Sequence, residues 1–251
     1  SESLTGVFVG FSGSEFGQLL AASPAGSSVY AATGSSSSIA SGRLSYVLGL
    51  HGPCVSYDTA CSSALAACHA GLRALQRDEC TAGLVVAVTL MLAPGIGMSF
   101  AVAGMTSARG RSHAFDARAD GYARGEACGG VAISGLEGGA LYLLGSAVRQ
   151  DGRSASLTAP NGQAQKALLG AAWDDAATAA DELVMNEAHG TGTALGDPIE
   201  AGSLAAAVHG GSVRSASLSV GAAKASVGHS EAASGQVGLL KVQRLLEDSS
   251  V

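Results

Sequence analysis

The sequence predicts an α/β fold, because short buried strands alternate along it with helix-like stretches. Runs of apolar or β-branched residues recur through the chain, and stretches with the pattern of helices lie between them. This alternation is typical of layered α/β folds. We expect strands over residues 6–11, 54–57, 84–90, 130–134, 141–148, 183–187 and 217–221. We expect helices over residues 62–77, 164–180, 198–208 and 231–247.

The composition supports a tightly folded chain whose core is filled mostly by small residues. Of the 251 residues, 47% are hydrophobic, 14% are charged and 36 are glycine. At roughly 100–200 residues per domain, this length allows one large domain or two small ones. The formal net charge of −6 leaves no diffuse basic surface for a phosphate backbone. We therefore expect no nucleic-acid partner.

The strand expected over residues 84–90 lies in a long stretch without charged residues, from 80 to 108. A membrane span needs about 20 consecutive apolar residues, which this stretch could supply. Pro94, Gly95 and Gly97 interrupt it, however, and leave an apolar run suited to a strand that is covered on both faces. We therefore predict a buried strand here and no membrane span.

Capping and periodicity support the two helices nearest the C-terminus. Asp197 and Pro198 predict a helix start, with an N-cap followed by proline at the first helical position. In residues 231–247 the apolar side chains form one stripe, as in an amphipathic helix. No linker divides the chain, and residues 135–140 are the expected hinge between two halves.

The cysteines do not form a pattern of disulfides or of metal ligands. The chain has five cysteines, an odd number, and no C-x-x-C pair. We therefore predict neither a disulfide framework nor a metal site. A reducing compartment fits these cysteines, and no signal peptide is visible at the N-terminus, so we expect a cytoplasmic protein.

The first candidate site residue is Cys61, which lies where the helix over residues 62–77 should begin. A short strand and a turn of small residues precede it. Backbone N–H groups and the positive end of the helix dipole would stabilise a thiolate, the nucleophilic form, at this position. The alternative from this stretch alone is a buried structural cysteine.

The second candidate is His189, which follows the strand over residues 183–187 and precedes a Gly/Thr loop. Catalytic and ligand-binding groups concentrate at such strand ends. The glycines of residues 190–196 are spaced G-x-G-x-x-x-G, which matches a dinucleotide-binding loop only weakly. The other interpretation is a loop in which Thr191 and Thr193 donate hydrogen bonds to an extended ligand that carries amides.

A third strand end carries Lys224 and His229, five residues apart on either side of a turn. This spacing allows both side chains to point into one cavity. Each residue alone is as well explained by an ordinary loop or helix-start position. Together, three strand ends with Cys, His, and Lys plus His supply a set suited to acyl transfer, namely a nucleophile, proton-handling groups and oxyanion donors.

A cysteine protease needs only one histidine, whereas this sequence offers two at strand ends. Two neutral imidazole N–H donors can stabilise the enolate that forms when a malonyl thioester loses CO₂, while the cysteine carries the acyl electrophile.

Three motifs carry a resemblance to a known family: DTACSSAL around Cys61, EAHGTGTALGDPIEA around His189, and KASVGHSEAASG around Lys224 and His229. The sequence resembles the β-ketoacyl synthases of the thiolase superfamily, in particular the ketosynthase domains of modular type I polyketide synthases. The resemblance runs from about residue 6 to residue 247. Residues 225–227 read Ala-Ser-Val where the commonest family form reads Thr-Asn-Ile.

The resemblance implies a thiolase-like layered αβαβα fold with two related halves, residues 1–137 with the nucleophile and residues 138–251 with both histidines and the lysine. It implies an acyltransferase that condenses a Cys-bound acyl chain with malonyl carrier protein by a decarboxylative Claisen reaction, in polyketide or fatty acid biosynthesis. The implied partners are an acyl carrier protein with its phosphopantetheine thioester, a second copy in a homodimer, and other polyketide synthase domains in cis. No bound cofactor is implied.

The resemblance also assigns roles to single residues. Cys61 would accept the acyl chain, and its amide N–H would be one oxyanion donor. His189 and His229 would assist malonyl decarboxylation and stabilise the enolate. Lys224 would support the hydrogen bonding of this cluster, and two loop residues, Thr191 and Thr193, would contact the pantetheine arm.

The family topology further predicts that the first strand of the first half and the last strands of the second half are missing. A missing middle strand would leave two rows of unpaired backbone groups in the sheet. On this basis we expect the 251 residues alone to be inactive. The sequence is also compatible with a synthase that does not decarboxylate and with a noncatalytic dimer half, although the presence of Cys61 argues against the latter.

Overall fold

The computed structural model describes residues 4–13, 15–136, 139, 141–210 and 217–249. The chain forms two compact units, each built from separate segments. The first unit comprises Ser1–Ala103, Arg124–Gly138 and Ser230–Val237. The second comprises Gly104–Ala123, Gly139–His229 and Gly238–Val251. The predicted boundary between the halves, at residues 137 and 138, lies outside the described residues.

The first unit contains a four-stranded mixed sheet. Its strands are β1 (Thr5–Gly10), β2 (Cys54–Tyr57), β3 (Ala82–Thr89) and β4 (Ala127–Ser134). The strand order is β2-β1-β3-β4. Strand β1 pairs in parallel with both β2 and β3, and β4 pairs antiparallel with β3. The helices of this unit are α1 (Glu15–Ala21), α2 (Ala31–Ser35), α3 (Ser37–Leu48), α4 (Ser63–Gln76) and α5 (Pro94–Val102), with 3₁₀ turns at Pro24–Ser27, Ala60–Ser62 and Glu231–Ala233.

Helices cover both faces of this sheet around its buried strand β1. A Cβ at Gly71 of α4 would lie 2.9–3.3 Å from side-chain atoms of Ile133, Phe8 and Val85, so α4 packs closely on the face that these residues share. Strand residues alternate between faces. On the other face, Ser56 donates a hydrogen bond to the Ser41 hydroxyl of α3 at 3.0 Å.

A buried ion-pair network ties the helical layer of the first unit together. Arg124 donates to Glu15 of α1 at 3.1 Å and to Glu231 at 2.6 Å. The side chains of all three residues are less than a fifth exposed. The second oxygen of Glu15 accepts the Ala93 N–H at 2.7 Å, just before α5 begins. One arginine therefore neutralises two buried carboxylates.

The second unit contains a two-stranded parallel sheet of β5 (Met185–Glu187) and β6 (Ser219–Gly221). Its helices are α6 (Gly162–Ala176), α7 (Gly196–Val208), α8 (Lys224–Val227) and most of α9 (Ser234–Ser249), with a 3₁₀ turn at Ala180–Glu182. Helix α6 packs against α7. The side chain of Asn161 caps α6 by accepting the N–H groups of Gln163 and Ala164.

Six of the seven predicted strands and all four predicted helices are confirmed to within a few residues. The strand predicted over residues 141–148 is wrong, because this segment is irregular and no described strand pairs with it. Its side chains are more exposed than those of a covered strand, with Tyr142 69% and Leu144 62% exposed.

The structure also tests the expectations about the centre of the first sheet, the start of α7 and a possible membrane span. The gap expected at the centre of the first unit's sheet is wrong, since β1 pairs directly with β3 from Thr5 opposite Ala82 to Gly10 opposite Ala87 and with β2 on its other side. The described strands of this sheet therefore lack the unpaired rows on which the expectation of an inactive chain was based. Asp197 is not an N-cap, because α7 already begins at Gly196. Residues 80–108 form β3 and α5, and within the described ranges no helix is long and apolar enough to cross a bilayer.

Candidate active site

Cys61 lies in the first unit, in the 3₁₀ turn that joins β2 to α4. The preceding residue, Ala60, has a φ of 53°, a conformation that few residues other than glycine adopt, so the chain turns sharply at this point. The Ala60 N–H donates to the Asp58 carboxylate at 3.2 Å, and the Ser63 hydroxyl donates to the Ala60 carbonyl at 2.7 Å. The Cys61 carbonyl accepts the Ser234 hydroxyl at 3.3 Å. The turn is therefore held on both sides of a half-buried thiol.

Glycine allows the start of α4 to approach the sheet. A Cβ at Gly10, the last residue of β1, would lie 2.7 Å from backbone atoms of Ser63 and Ala64. Ser63 itself is fully buried. The small residues around Cys61 thus serve the packing of the turn onto the strand end.

His189 follows β5 and is fixed through its backbone by a carboxylate of α7. Glu200 accepts the N–H of His189 at 2.6 Å and the N–H of Gly190 at 2.8 Å. A bidentate carboxylate on two consecutive N–H groups defines the direction in which the chain leaves the strand.

Asp197 organises the Gly/Thr loop that follows His189. Its carboxylate is 3% exposed and accepts the N–H groups of Gly192 at 3.1 Å, Thr193 at 3.3 Å and Phe115 at 2.7 Å. Gly192 has a φ of 80°, and a Cβ there would lie 2.6 Å from the backbone nitrogen of His113. The loop conformation therefore requires both the buried acid and the glycine.

The two threonines of this loop point their hydroxyls toward each other. Thr191 Oγ1 lies 3.3 Å from Thr193 Oγ1, and Thr193 Oγ1 also accepts the Gly196 N–H at 3.1 Å. Thr193 lines a cavity of about 420 Å³, together with Phe115 and Asp116. Since Thr193 already accepts a hydrogen bond from Gly196, its hydroxyl proton is left for Thr191 or for a ligand.

Lys224 is the first residue of the short helix α8, and His229 lies in the turn that follows this helix. Lys224 is 7% exposed and His229 is 4% exposed. The His229 N–H donates to the Ala123 carbonyl at 2.7 Å. The ring of His229 packs edge-on against Tyr122, with centroids 4.9 Å apart, and against His189, with centroids 5.5 Å apart and the ring planes perpendicular.

Both imidazoles are neutral at neutral pH. Burial, the nearby positive charge of Lys224 and the neighbouring His189 lower the pKa of His229 to about 3. Burial and Lys224 lower the pKa of His189 to about 4. His189 as a residue is exposed to solvent, whereas His229 is 4% exposed, so the effect of burial on the free energy of unfolding is argued below for His229 alone. A neutral imidazole keeps one N–H donor and one bare nitrogen.

The second unit thus brings His189, His229 and Lys224 into one cluster, with Thr191 and Thr193 on the loop beyond it. Cys61 belongs to the first unit. Sequence reasoning missed Glu200 and the role of Asp197 in the loop. The acidic residues of the segment DPIEA, three positions apart on one helix, were the available signal.

Two family models match the chain: "Beta-ketoacyl synthase, N-terminal domain" over residues 1–138 and "Beta-ketoacyl synthase, C-terminal domain" over residues 141–251. Among curated proteins, the chain is 42% identical over 247 residues to the spectinabilin polyketide synthase system protein NorC of Streptomyces orinoci. It is 41% identical over 246 residues to the polyketide synthase GfsB of Streptomyces halstedii. These alignments cover 96% and 95% of this chain but only 11% and 4% of the two relatives.

Solved structures give the same result. The ketosynthase from module 6 of the bacillaene synthase of Bacillus subtilis 168 matches with a TM-score of 0.89 and 33% identity, over 96% of this chain and 42% of that chain. The oxazolomycin ketosynthase domain OzmH KS7 of Streptomyces albus JA3453 matches with a TM-score of 0.86 and 32% identity, over 95% of this chain and 44% of that chain. The predicted α/β fold class, that of the thiolase-like synthases, is confirmed by these matches.

Proposed function

The chain belongs to the β-ketoacyl synthase family, and on this premise we propose that it catalyses the decarboxylative Claisen condensation of polyketide synthesis. One substrate is an acyl chain bound to Cys61, and the other is malonyl carrier protein. The observation that carries the proposal is the pair of neutral, perpendicular imidazoles of His189 and His229, with Lys224 buried beside them.

In the first half-reaction, Cys61 takes the acyl chain from a carrier thioester. The thiolate attacks the thioester carbonyl carbon, and the tetrahedral intermediate expels the pantetheine thiolate, which takes up a proton. The held turn and the position of Cys61 just before α4 favour the thiolate. The amide N–H of Cys61 is our candidate for one oxyanion donor.

In the second half-reaction, the malonyl thioester loses CO₂. The electrons of the broken carbon–carbon bond form an enolate, whose oxygen needs hydrogen-bond donors. His189 and His229 can donate from neutral imidazoles, because burial and Lys224 keep both uncharged. The enolate carbon then attacks the acyl carbonyl carbon on Cys61, the carbon–sulfur bond breaks, and the β-ketoacyl product remains on the carrier.

The substrates arrive on phosphopantetheine arms, and Thr191 and Thr193 are our candidates for contacting the arm. The cavity that Thr193 lines supports this assignment. In the proposed division of roles, residues 1–137 carry the nucleophile and residues 138–251 carry the histidines and the lysine. We further propose an acyl carrier protein as partner, a homodimer, neighbouring synthase domains in cis, and a cytoplasmic setting, since the curated relatives are named as polyketide synthase proteins.

The proposal is tested by following acyl loading and decarboxylation separately. Intact-mass spectrometry should show one acyl group on the wild-type protein and none on Cys61→Ala. The matched control Cys54→Ala removes an exposed thiol and should load normally. Loading of Cys61→Ala at the wild-type level would contradict the assignment of the nucleophile.

Decarboxylation is followed as CO₂ released from malonyl carrier protein. His229→Ala should still load acyl chains but lose CO₂ release by a factor of about 10²–10³, the usual effect of removing one oxyanion donor. The control His209→Ala changes an exposed histidine beyond the end of α7 and should leave both readouts unchanged. Equal loss of loading and decarboxylation in His229→Ala would contradict the division of roles.

A further inference from the structure

A second charged pair lies beside the Lys224 turn, and the mechanism above does not use it. Glu187, the last residue of β5, has a side chain that is 9% exposed. One of its carboxylate oxygens accepts Lys241 Nζ of α9 at 2.5 Å. The other accepts the backbone N–H of Ala223 at 2.5 Å, and Ala223 immediately precedes Lys224. The carboxylate therefore connects a strand end, a long helix and the start of α8.

Two glycines make the space that this pair occupies. A Cβ at Gly221 of β6 would lie 2.9 Å from Lys241 Nζ and 3.1 Å from Glu187 Oε2. A Cβ at Gly238, one turn before Lys241 on α9, would lie 3.2 Å from Glu187 Cγ. The pair is thus enclosed by backbone on two sides. A carboxylate buried in this way is tolerated only because both of its oxygens are paired.

Helix α8 needs such an anchor because it has only four residues, Lys224–Val227. A single helical turn is not stable on its own, since the first turn fixes several backbone dihedral angles in return for one hydrogen bond. Its N-cap, Ala223, has no side chain that could cap the helix. The Glu187 carboxylate, which belongs to β5, accepts the Ala223 N–H and so provides a hydrogen bond at the helix start that a capping side chain would otherwise provide.

We propose that Glu187, held by Lys241, is a positioning residue that fixes the start of α8 and thereby keeps the Lys224 ammonium beside His189 and His229. The catalytic part of this proposal rests on the proposed function, whereas the structural part does not. Removal of the anchor lets α8 shift, and the lysine charge then moves away from the imidazoles.

The two electrostatic effects of removing Glu187 have opposite signs. Loss of a nearby negative charge alone lowers the pKa of each histidine. Release of Lys224 raises the pKa of each histidine, because its positive charge is one of the causes that now lower them. The sign of the change therefore separates positioning from a direct charge effect, and a merely structural role would move neither pKa in a folded variant.

The experiment is an NMR titration of the imidazole signals in the full chain, without substrate, in Glu187→Leu and Glu187→Gln. Glu187→Leu removes both hydrogen bonds, and we expect the pKa of His229 to rise by about one unit or more. Glu187→Gln keeps one carbonyl oxygen for the Ala223 N–H and should show a smaller rise. If Glu187→Leu does not fold, Glu187→Ala, which removes the same carboxylate and leaves a smaller side chain, should show a rise in the same direction, opposite to the direct effect of losing a negative charge.

Arg244→Met is the matched control on α9, since Arg244 is 72% exposed and pairs only with residues of its own helix among the ion pairs of the described chain. It should leave both histidine titrations unchanged. A fall or no change in the pKa of His229 in folded Glu187→Leu, or in folded Glu187→Ala, would overturn the proposal.

A second readout is CO₂ release from malonyl carrier protein. We expect Glu187→Leu to lower kcat by about tenfold or more with little change in KM, because the anchor acts on the groups that stabilise the enolate. If the titrations shift as expected but the wild-type protein releases no CO₂, the positioning holds and the proposed function fails. If the wild type releases CO₂ and the titrations do not move, the positioning is wrong and the proposed function stands.

Discussion

Replacing Asp197 by alanine should unlock the Gly/Thr loop after His189 and lower the free energy of unfolding. The carboxylate is 3% exposed and accepts three backbone N–H groups, from Phe115, Gly192 and Thr193, at 2.7–3.3 Å. Alanine offers none of these acceptors. The three donors come from two different segments of the second unit, so the variant also loses the bridge between those segments.

The magnitude follows from the hydrogen-bond inventory. Each buried donor left without a partner costs about 1–3 kcal/mol, so three donors would cost about 3–9 kcal/mol if nothing relaxed. Relaxation of the loop and entry of water bring the expected loss to the lower end, about 3–5 kcal/mol. Asp197→Asn keeps one acceptor oxygen but turns an NH₂ group toward the donors, so we expect a loss of about 1–3 kcal/mol.

The assay is urea unfolding followed by tryptophan fluorescence. The chain has one tryptophan, Trp173, which lies on α6, and α6 packs against α7, the helix that carries Asp197. The control is Asp174→Ala, which removes an exposed carboxylate on α6 and should leave the midpoint unchanged. A loss of less than about 1 kcal/mol in Asp197→Ala would contradict this prediction, because it would mean that the buried donors find other partners at little cost.

Three further predictions concern stability. Arg124→Met leaves two buried carboxylates without their cation and should lower the free energy of unfolding by about 3–5 kcal/mol, as measured in urea. The control Arg118→Met removes the cation of an exposed pair and should leave the urea midpoint unchanged. Equal losses in the two variants would contradict this prediction. Gly71→Ala places a methyl group 2.9 Å from a side-chain atom and should lower the free energy of unfolding by about 1–3 kcal/mol. The control Gly170→Ala lies in open space on α6 and should raise the free energy of unfolding by about 0.5–1 kcal/mol. A stabilising effect of Gly71→Ala would contradict the close packing of α4 on the sheet. The pKa of His229 is lowered from 6.5 in the unfolded chain to about 3 in the folded protein, so its effect on stability is absent above pH 6.5 and grows as the pH falls toward 3. The free energy of unfolding should therefore fall less steeply below pH 6.5 in His229→Gln than in the wild type. Parallel curves for the two proteins would contradict a neutral, buried His229.

Local residue patterns predict most of the strands and helices. The β-branched run that forms β3 predicts its strand because such residues suit a pleated surface that is covered on both faces. The run over residues 141–148 is also apolar, although Val148 is its only β-branched residue, and it forms no strand, since strand formation also needs a partner edge. That partner depends on contacts distant in sequence, and no local pattern shows it.

The candidate site was predictable where chemistry and chain position coincide. His189, Lys224 and His229 follow strand ends, and a residue's type together with that position suffices to nominate it. Asp197 and Glu187 were not predictable in their roles. Their hydrogen bonds reach backbone N–H groups as far as 82 and 36 residues away in sequence, so their function exists only once the loops have folded.

Measuring CO₂ and β-ketoacyl product together tests the proposed decarboxylative condensation on Cys61. The protein is first loaded with an acyl chain and then mixed with malonyl carrier protein. We predict one CO₂ released for each β-ketoacyl chain formed on the carrier, and no such product from Cys61→Ala. Transfer of the acyl chain without CO₂ release, or condensed product from Cys61→Ala, would contradict it.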